Sequence, residues 1–119
     1  MSKEKDLKII KDFISYLDSD TEKYSINYGT PFVIHSYSDE IIDFIIYWNE
    51  SSYLQKDYLE RVKSYGGTIS DIKAETLDLD MVLVVITYIL RQERFSGGII
   101  ASNLDLLKRL LERLILLEN

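Results

Sequence analysis

The feature that most constrains this chain is an apolar stretch from Met81 to Leu90, which only Thr87 interrupts. A membrane-spanning helix needs roughly 20 such residues, so this stretch is too short to cross a bilayer. Because it is apolar on all sides, it predicts a helix buried at the centre of a domain. Asp78 is the predicted N-cap, and we expect the helix to continue to about Phe95.

Several amphipathic segments predict helices that cover this central one, because their apolar residues recur at helical spacing. The predicted helices are residues 5–18, residues 39–49 with Ser38 as N-cap, residues 53–65 with Ser52 and Gln55 as a capping box, and a last leucine-rich helix capped by Ser102 or Asn103. Two glycine pairs, Gly66-Gly67 and Gly97-Gly98, predict the ends of the 53–65 helix and of the central helix.

Residues 19–37 have no helical pattern. Tyr24, Ile26 and Tyr28 alternate with polar residues, and Pro31 then interrupts the chain, so a small hairpin is one interpretation. Irregular packing is the preferred one. With 119 residues and 46% apolar side chains, the chain is expected to be one helical domain over residues 1–119. The predicted fold class is all-α: a compact bundle of four to five main helices around a central hydrophobic helix, with at most a small extended segment near residues 24–34.

Acidic side chains are concentrated in one part of the chain. The net charge is −6, but between Asp12 and Glu60 ten acids stand against only Lys23 and Lys56, which gives a local net charge of −8. Such a field repels nucleic-acid phosphates and anionic membranes. We therefore expect no direct nucleic-acid partner and no membrane partner.

The residues that build metal and catalytic sites are scarce. There is no cysteine and a single histidine, His35, with no nucleophile at motif spacing. Asp18, Asp20 and Glu22 alternate like the start of a calcium loop, but Lys23 stands where such a loop needs glycine. We predict no catalytic residue, no metal site and no cofactor. The absence of cysteine and of an apolar leader fits a cytoplasmic protein.

The acidic part of the chain is also rich in tyrosine, with seven of the nine tyrosines lying between Tyr16 and Tyr58. Tyrosine has a large ring to bury and a hydroxyl that stays hydrated, which suits protein interfaces. Acids mixed with aromatic rings predict a surface for a partner protein with a basic face. The candidate partner-binding residues are Asp39, Glu40, Asp43, Tyr47, Tyr53 and Tyr58.

A second candidate cluster ends the central helix, in the segment Arg91-Gln-Glu-Arg-Phe-Ser-Gly-Gly. Arginines at a helix C-terminus interact favourably with its exposed carbonyls, and they can pair with carboxylates on neighbouring helices. An arginine pair can also bind a carboxylate or phosphate ligand. The cluster, which is either structural or anion-binding, is Arg91, Glu93, Arg94 and Phe95.

The same segment carries a family resemblance. Arg91 to Phe95, then Gly98-Ile99-Ile100 and a closing Leu107-Lys-Arg-Leu, resembles an uncharacterised bacterial domain-of-unknown-function family, numbered six-five-zero-eight. The similarity covers about residues 37–114. Members of that family tend to have a longer segment before the last helix, where this chain has only residues 101–103. The resemblance supports the helical fold and implies no activity.

Three functions remain open from the sequence. The preferred one is a non-enzymatic protein–protein interaction domain, a small acidic inhibitor of the phage or mobile-element anti-defence type, whose carboxylates stand in for phosphates on a basic protein surface. The first alternative is a small-ligand-binding or enzymatic domain that uses Arg91, Glu93 and Arg94. The second alternative is a structural homo-oligomer joined through its leucine-rich helices.

Overall fold

Six helices and one hairpin follow one another in the part of the chain that the structure describes. A computed structural model describes residues 3–28 and 34–118. The helices and strands of these residues are α1 Lys3–Leu17, β1 Tyr24–Asn27, β2 Ile34–Tyr37, α2 Asp39–Glu50, α3 Tyr58–Tyr65, α4 Leu79–Gln92, α5 Ile99–Ser102 and α6 Leu104–Glu118. Two 3₁₀ turns, Ile69–Asp71 and Ala74–Thr76, connect α3 to α4. None of these helices is long and apolar enough to cross a membrane.

Helix α4 is the central helix that the apolar stretch predicts. Its residues from Val82 to Leu90 are all buried except Tyr88, which is partly exposed. Asp78 is confirmed as the N-cap, because its carboxylate accepts the backbone N–H of Met81 at 2.9 Å. The interruption at Thr87 also has a role inside the core. Its hydroxyl accepts a hydrogen bond of 2.9 Å from the indole N–H of Trp48 on α2, and so the ring is held against α4.

The leucine-rich helix α6 packs against α4 on one side and α1 on another. Five of its leucines are buried in the shared core: Leu106, Leu107, Leu110, Leu111 and Leu114. Leu116 and Leu117, near the end of the helix, are 66% and 36% exposed. The face that the sequence offers for a homo-oligomer therefore lies mainly inside the molecule.

The all-α prediction needs one correction, because Tyr24–Asn27 and Ile34–Tyr37 form a hairpin and not irregular packing. Pro31, which was predicted to interrupt this segment, lies outside the described residues. Strands β1 and β2 pair antiparallel, with Tyr24 opposite Tyr37 and Ile26 opposite His35. These four side chains share one face of the hairpin, since cross-strand partners point the same way. Tyr37 and His35 on this face contact the turn between α4 and α5, and this tertiary contact favours the paired strands.

Two predicted helix boundaries also differ from the structure by three residues or more. Helix α3 begins at Tyr58 and not at residue 53. The backbone N–H of Gln55 donates to the hydroxyl of Thr87 and does not form the predicted capping box with Ser52. Helix α4 ends at Gln92, before Phe95. The glycine pair that was expected to end α4 precedes a separate helical turn, α5, and Gly98 has a left-handed φ of 94° at its start.

Two further predicted caps are confirmed, and a third residue makes a different hydrogen bond from the one predicted. Ser38 caps α2, because its hydroxyl accepts the N–H of Ile41. Gly66 ends α3 in a left-handed conformation with φ 82°. Asn103 directly precedes α6, but its side-chain amide donates a 2.8 Å bond back to the carbonyl of Ile99 and so completes α5. Ser102, the other predicted cap, lies within α5.

Candidate protein-binding groove

A groove of about 370 Å³ lies between α1 and α2, on the acidic part of the chain. Helix α1 packs mainly on α6 and touches α2 along a shorter stretch, which leaves space between the two. We call this feature the acidic groove. It is lined by four residues from each helix: Ile9, Asp12, Phe13 and Tyr16 from α1, and Glu40, Asp43, Phe44 and Tyr47 from α2.

Four aromatic rings form a continuous row through the groove. The rings of Phe13 and Phe44 stack at its centre, with centroids 3.9 Å apart and planes within 4° of parallel. Tyr16 follows Phe13 at 6.0 Å, and Tyr47 follows Phe44 at 5.7 Å. The two phenylalanines are buried, whereas the two tyrosines are partly exposed. The row gives the groove an apolar floor with a partly exposed ring at each end.

Each tyrosine hydroxyl of the row is bound within the molecule. The Tyr16 hydroxyl lies 2.6 Å from the Ser38 hydroxyl at the start of α2, and the Tyr47 hydroxyl donates a 2.8 Å bond to the buried carboxylate of Asp6. Burial raises the pKa of Tyr47 far above its usual range, and the bond to Asp6 raises it further. Tyr47 therefore stays a protonated donor at neutral pH, and both bonds tie α1 to α2.

Three carboxylates stand at the rim of the groove. Asp12 pairs with Lys8 one turn earlier at 3.1 Å, and both side chains are largely exposed. Glu40 and Asp43 are exposed on α2, and neither makes an ion pair with any other described residue. An ion pair between exposed side chains contributes little stability, so Asp12 can exchange Lys8 for another cation. The rim is thus a set of acceptors open to a cationic group.

The structure brings three of the six predicted partner-binding residues into this groove: Glu40, Asp43 and Tyr47. Asp39 is exposed in the first turn of α2, beside the groove. Tyr53 and Tyr58 do not line the groove; they are buried, with exposed fractions of 8% and 6%. Their rings serve the core, because packing against neighbouring rings and helices hides more apolar area than a surface position does.

Tyr53 and Tyr58 each contact specific residues of the fold. The Tyr53 ring stacks on Trp48 with centroids 5.4 Å apart. Burial raises the pKa of the Tyr53 hydroxyl, with smaller contributions from Glu118 and Asp6. The Tyr58 hydroxyl accepts a 3.1 Å bond from the side-chain amide of Gln92, which ties α3 to the end of α4.

Sequence reasoning missed the half of the groove that α1 contributes. Phe13 and Tyr16 widen the apolar stripe of α1 beyond a single line of core positions, and Asp12 lies beside them. This wide stripe was the signal in the sequence that could have indicated the groove. A stripe wider than the contact with one neighbouring helix leaves some of its rings at the edge of that contact. Which helix faces that edge is decided by the tertiary fold.

Of the second predicted cluster, only Glu93 takes part in a structural clamp, which lies directly after α4. One carboxylate oxygen of Glu93 accepts the N–H of Ile100 and the hydroxyl of Tyr37, both at 2.8 Å, and the other accepts the N–H of Gly98 at 2.6 Å. The Tyr37 hydroxyl accepts in turn from the N–H of Ala101 at 3.2 Å. The carboxylate therefore satisfies backbone donors that open α5 and joins them to the hairpin.

The surroundings of the clamp change the pKa of the Tyr37 hydroxyl. Burial raises the pKa of its hydroxyl far above the usual range, and the bond to Glu93 raises it further, while the N–H of Ala101 acts in the opposite direction. The hydroxyl stays protonated and keeps donating to Glu93.

The arginines of this cluster do not make the carboxylate pairs that the sequence led us to expect. Among residues 3–28 and 34–118, neither Arg91 nor Arg94 forms a salt bridge. The Arg91 guanidinium lies 6.0 Å from the ring centre of Tyr58. Arg94 is exposed and lies 5.1 Å from the ring of Phe95, which is 68% exposed.

His35 lies at the hairpin side of the same clamp and away from the acidic groove. An added Cβ at Gly98 would be 2.8 Å from the His35 Cε1 atom, so the imidazole packs directly on the glycine backbone. The Nδ1 atom is buried and has no hydrogen-bond partner among the described residues. The imidazole therefore contributes to the packing of the turn before α5. In the same residues, no group of three or more acidic, histidine or cysteine side chains is arranged to hold a metal ion.

No protein-family model matches this chain, and neither does any curated protein or any solved structure. The family resemblance across residues 37–114 stays a prediction from the sequence. The acidic groove is therefore interpreted from its own chemistry: an apolar aromatic floor, acceptors at the rim, and tyrosine hydroxyls that are already bound.

Proposed function

We propose that this chain is a non-enzymatic protein–protein interaction domain of the cytoplasm, which binds a basic surface of another protein in its acidic groove. The observation that carries the proposal is that Glu40 and Asp43, at the rim of a groove with an aromatic floor, form no ion pair with any other described residue. Asp12 and Asp39 extend the negative field around them. Complementary charge accelerates encounter with a basic partner and selects against acidic ones.

The chemistry of the groove favours binding over catalysis. Its eight lining residues include carboxylates and phenols but no imidazole, amine or aliphatic hydroxyl. The chain's histidine packs on Gly98, in the separate clamp around Glu93. The groove therefore offers shape, apolar area and negative charge, which are the requirements of a docking site. An inhibitor that covers a basic nucleic-acid-binding surface of its target uses these same properties.

The test compares two variants of equal charge change. In the groove variant, Asp39, Glu40 and Asp43 are changed to lysine. In the control variant, three exposed acids that form no ion pair within residues 3–28 and 34–118 are changed to lysine: Asp20, Glu60 and Glu112. Partners are captured from host cells with the wild-type chain, identified by mass spectrometry, purified and measured for association rate at several salt concentrations.

We expect the association rate with the wild-type chain to fall as salt rises, because the contributing charges are exposed and screened. The groove variant should lose at least tenfold in affinity, whereas the control variant should keep most of it. Circular dichroism and thermal melting of each variant confirm that it is folded. A partner that binds the groove variant as tightly as the control variant would refute the proposal.

A further inference from the structure

We infer that the acidic groove recognises an arginine side chain of the partner, presented on a short basic segment. This inference rests on the proposed function and specifies the chemistry of its occupant. It follows from three properties of the groove: the row of aromatic rings, the acceptors at the rim and the limited size of the space.

An occupant of the groove must lie against the aromatic rings without forming a hydrogen bond to their hydroxyls. The hydroxyls of Tyr16 and Tyr47 are already bound to Ser38 and Asp6, so these two partly exposed rings present mainly their apolar and π surface at the ends of the buried Phe13–Phe44 stack. A cation is attracted to such a surface by the quadrupole of the rings. The molecule shows this attraction at one end of the row, where the Lys23 ammonium lies 5.4 Å from the ring centre of Tyr16.

The rim requires an occupant rich in hydrogen-bond donors. Asp12, Glu40 and Asp43 supply only acceptors when ionised, and they stand on the two opposing helices. An apolar segment placed here would cover Glu40 and Asp43 without a partner, which is unfavourable for a charged group. An anionic segment would be repelled. The occupant must therefore be cationic.

Arginine fits this combination better than lysine. Its guanidinium is planar, carries five donors in a fixed fork, stacks on aromatic rings and is weakly hydrated. The lysine ammonium is compact and strongly hydrated, so it loses more hydration energy when it is placed on an aromatic floor. The volume of about 370 Å³ lies at the lower end of the range for small-molecule pockets, which suits a side chain or a short segment more than a whole helix.

The test uses three amidated twelve-residue peptides with one glycine–serine background and three variable positions. Those positions hold arginine in the first peptide, lysine in the second and citrulline, the neutral analogue of arginine, in the third. Dissociation constants are measured by nuclear magnetic resonance titration up to millimolar peptide, which also reports the ring signals of Phe13, Tyr16, Phe44 and Tyr47.

We expect the arginine peptide to bind and to shift the ring signals of the groove. The lysine peptide should bind at least fivefold more weakly, and the citrulline peptide should not bind. Changing Glu40 to Gln together with Asp43 to Asn should weaken the arginine peptide at least fivefold. The matched control, Asp20 to Asn with Glu60 to Gln, should change its affinity less than twofold.

The possible failures are distinguishable. Equal binding of the arginine and lysine peptides, or no binding of any peptide, refutes arginine recognition, and the proposed function is then judged by the lysine-reversal variant and its partner. Shifts confined to signals outside the groove refute both the arginine inference and the groove as the docking site.

Discussion

The acidic groove and the turn formed by residues 93–98 each combine carboxylates with aromatic side chains, but they use the carboxylates differently. In the turn, the Glu93 carboxylate accepts two backbone N–H groups and the Tyr37 hydroxyl. In the groove, Glu40 and Asp43 have no ionic partner among the described residues. The difference teaches that a charged cluster indicates binding only when its hydrogen-bonding capacity is not used inside the fold.

The largest effect that tests this comparison is expected from Glu93→Ala. The change leaves the N–H groups of Gly98 and Ile100 without their acceptor, and both residues are buried. Each stranded donor costs about 1–3 kcal/mol, so we expect a loss of about 3 kcal/mol in the free energy of unfolding. Urea denaturation measures it. Glu93→Gln, which keeps one carbonyl acceptor, should lose less. A Glu93→Ala protein as stable as wild type would show that the carboxylate is not structural.

A second substitution tests the backbone side of the same clamp. Gly98 has φ 94°, and an added Cβ would be 2.8 Å from the His35 ring. Gly98→Ala combines backbone strain with displacement of the hairpin, so we expect a loss of about 2 kcal/mol. Gly97→Ala is the matched control, because its Cβ would meet no atom closer than 3.9 Å. Equal melting temperatures for the two variants would contradict this packing.

Alkaline pH should weaken both regions through their buried tyrosines. The pKa values of Tyr37 and Tyr47 are raised in the folded protein, whereas tyrosines of the unfolded chain ionise near pH ~10. The unfolded state therefore releases protons first as the pH rises, and the free energy of unfolding should fall above pH ~10.

The double variant Tyr37→Phe/Tyr47→Phe checks this pH dependence. It should show a shallower decline of the unfolding free energy above pH ~10 than wild type, measured by urea denaturation at a series of pH values. The exposed tyrosines Tyr28 and Tyr65 provide the control pair for the same substitution. A double variant with the wild-type slope would rule out these hydroxyls as the source.

The smallest effects are expected where charges make no buried contact. Arg94 contacts only the exposed ring of Phe95 among the interactions found in residues 3–28 and 34–118, so Arg94→Ala should cost less than about 1 kcal/mol. Asp43→Asn at the groove rim should change the unfolding free energy by no more than about 0.5 kcal/mol. A larger loss in thermal melting for either variant would reveal a structural role and weaken the contrast between the two regions.

The contrast also explains why the structural role of Glu93 could not be predicted from the sequence. Arg91, Glu93 and Arg94 stand together in the sequence, and a helix end suits arginine, so the two cations were expected to carry the structural role. The glutamate carries it instead, because the chain turns back after Gln92 and brings backbone donors of α5 to its carboxylate. A contact between residues five and seven positions apart depends on the turn geometry, which no periodic pattern encodes.

The sequence by itself determined the features that local chemistry controls. Apolar periodicity located five of the helices, and the apolar stretch of residues 81–90 identified the central one. The sequence also predicted the N-caps Ser38 and Asp78 and the left-handed end of α3 at Gly66, because capping depends on side chains within a few residues. The local excess of acid and tyrosine indicated the part of the chain that contains the groove.

Only the tertiary structure decided which of those side chains remain accessible. Tyr47 and Tyr53 are six residues apart and chemically identical, yet one lines the groove and the other stacks on Trp48 in the core. The α1 half of the groove, the pairing of β1 with β2 and the clamp at Glu93 likewise depend on tertiary contacts and turn geometry. The physical reason is that burial and hydrogen-bond satisfaction are properties of the packed molecule, whereas the sequence pattern reports local propensity and the direction of each helix face.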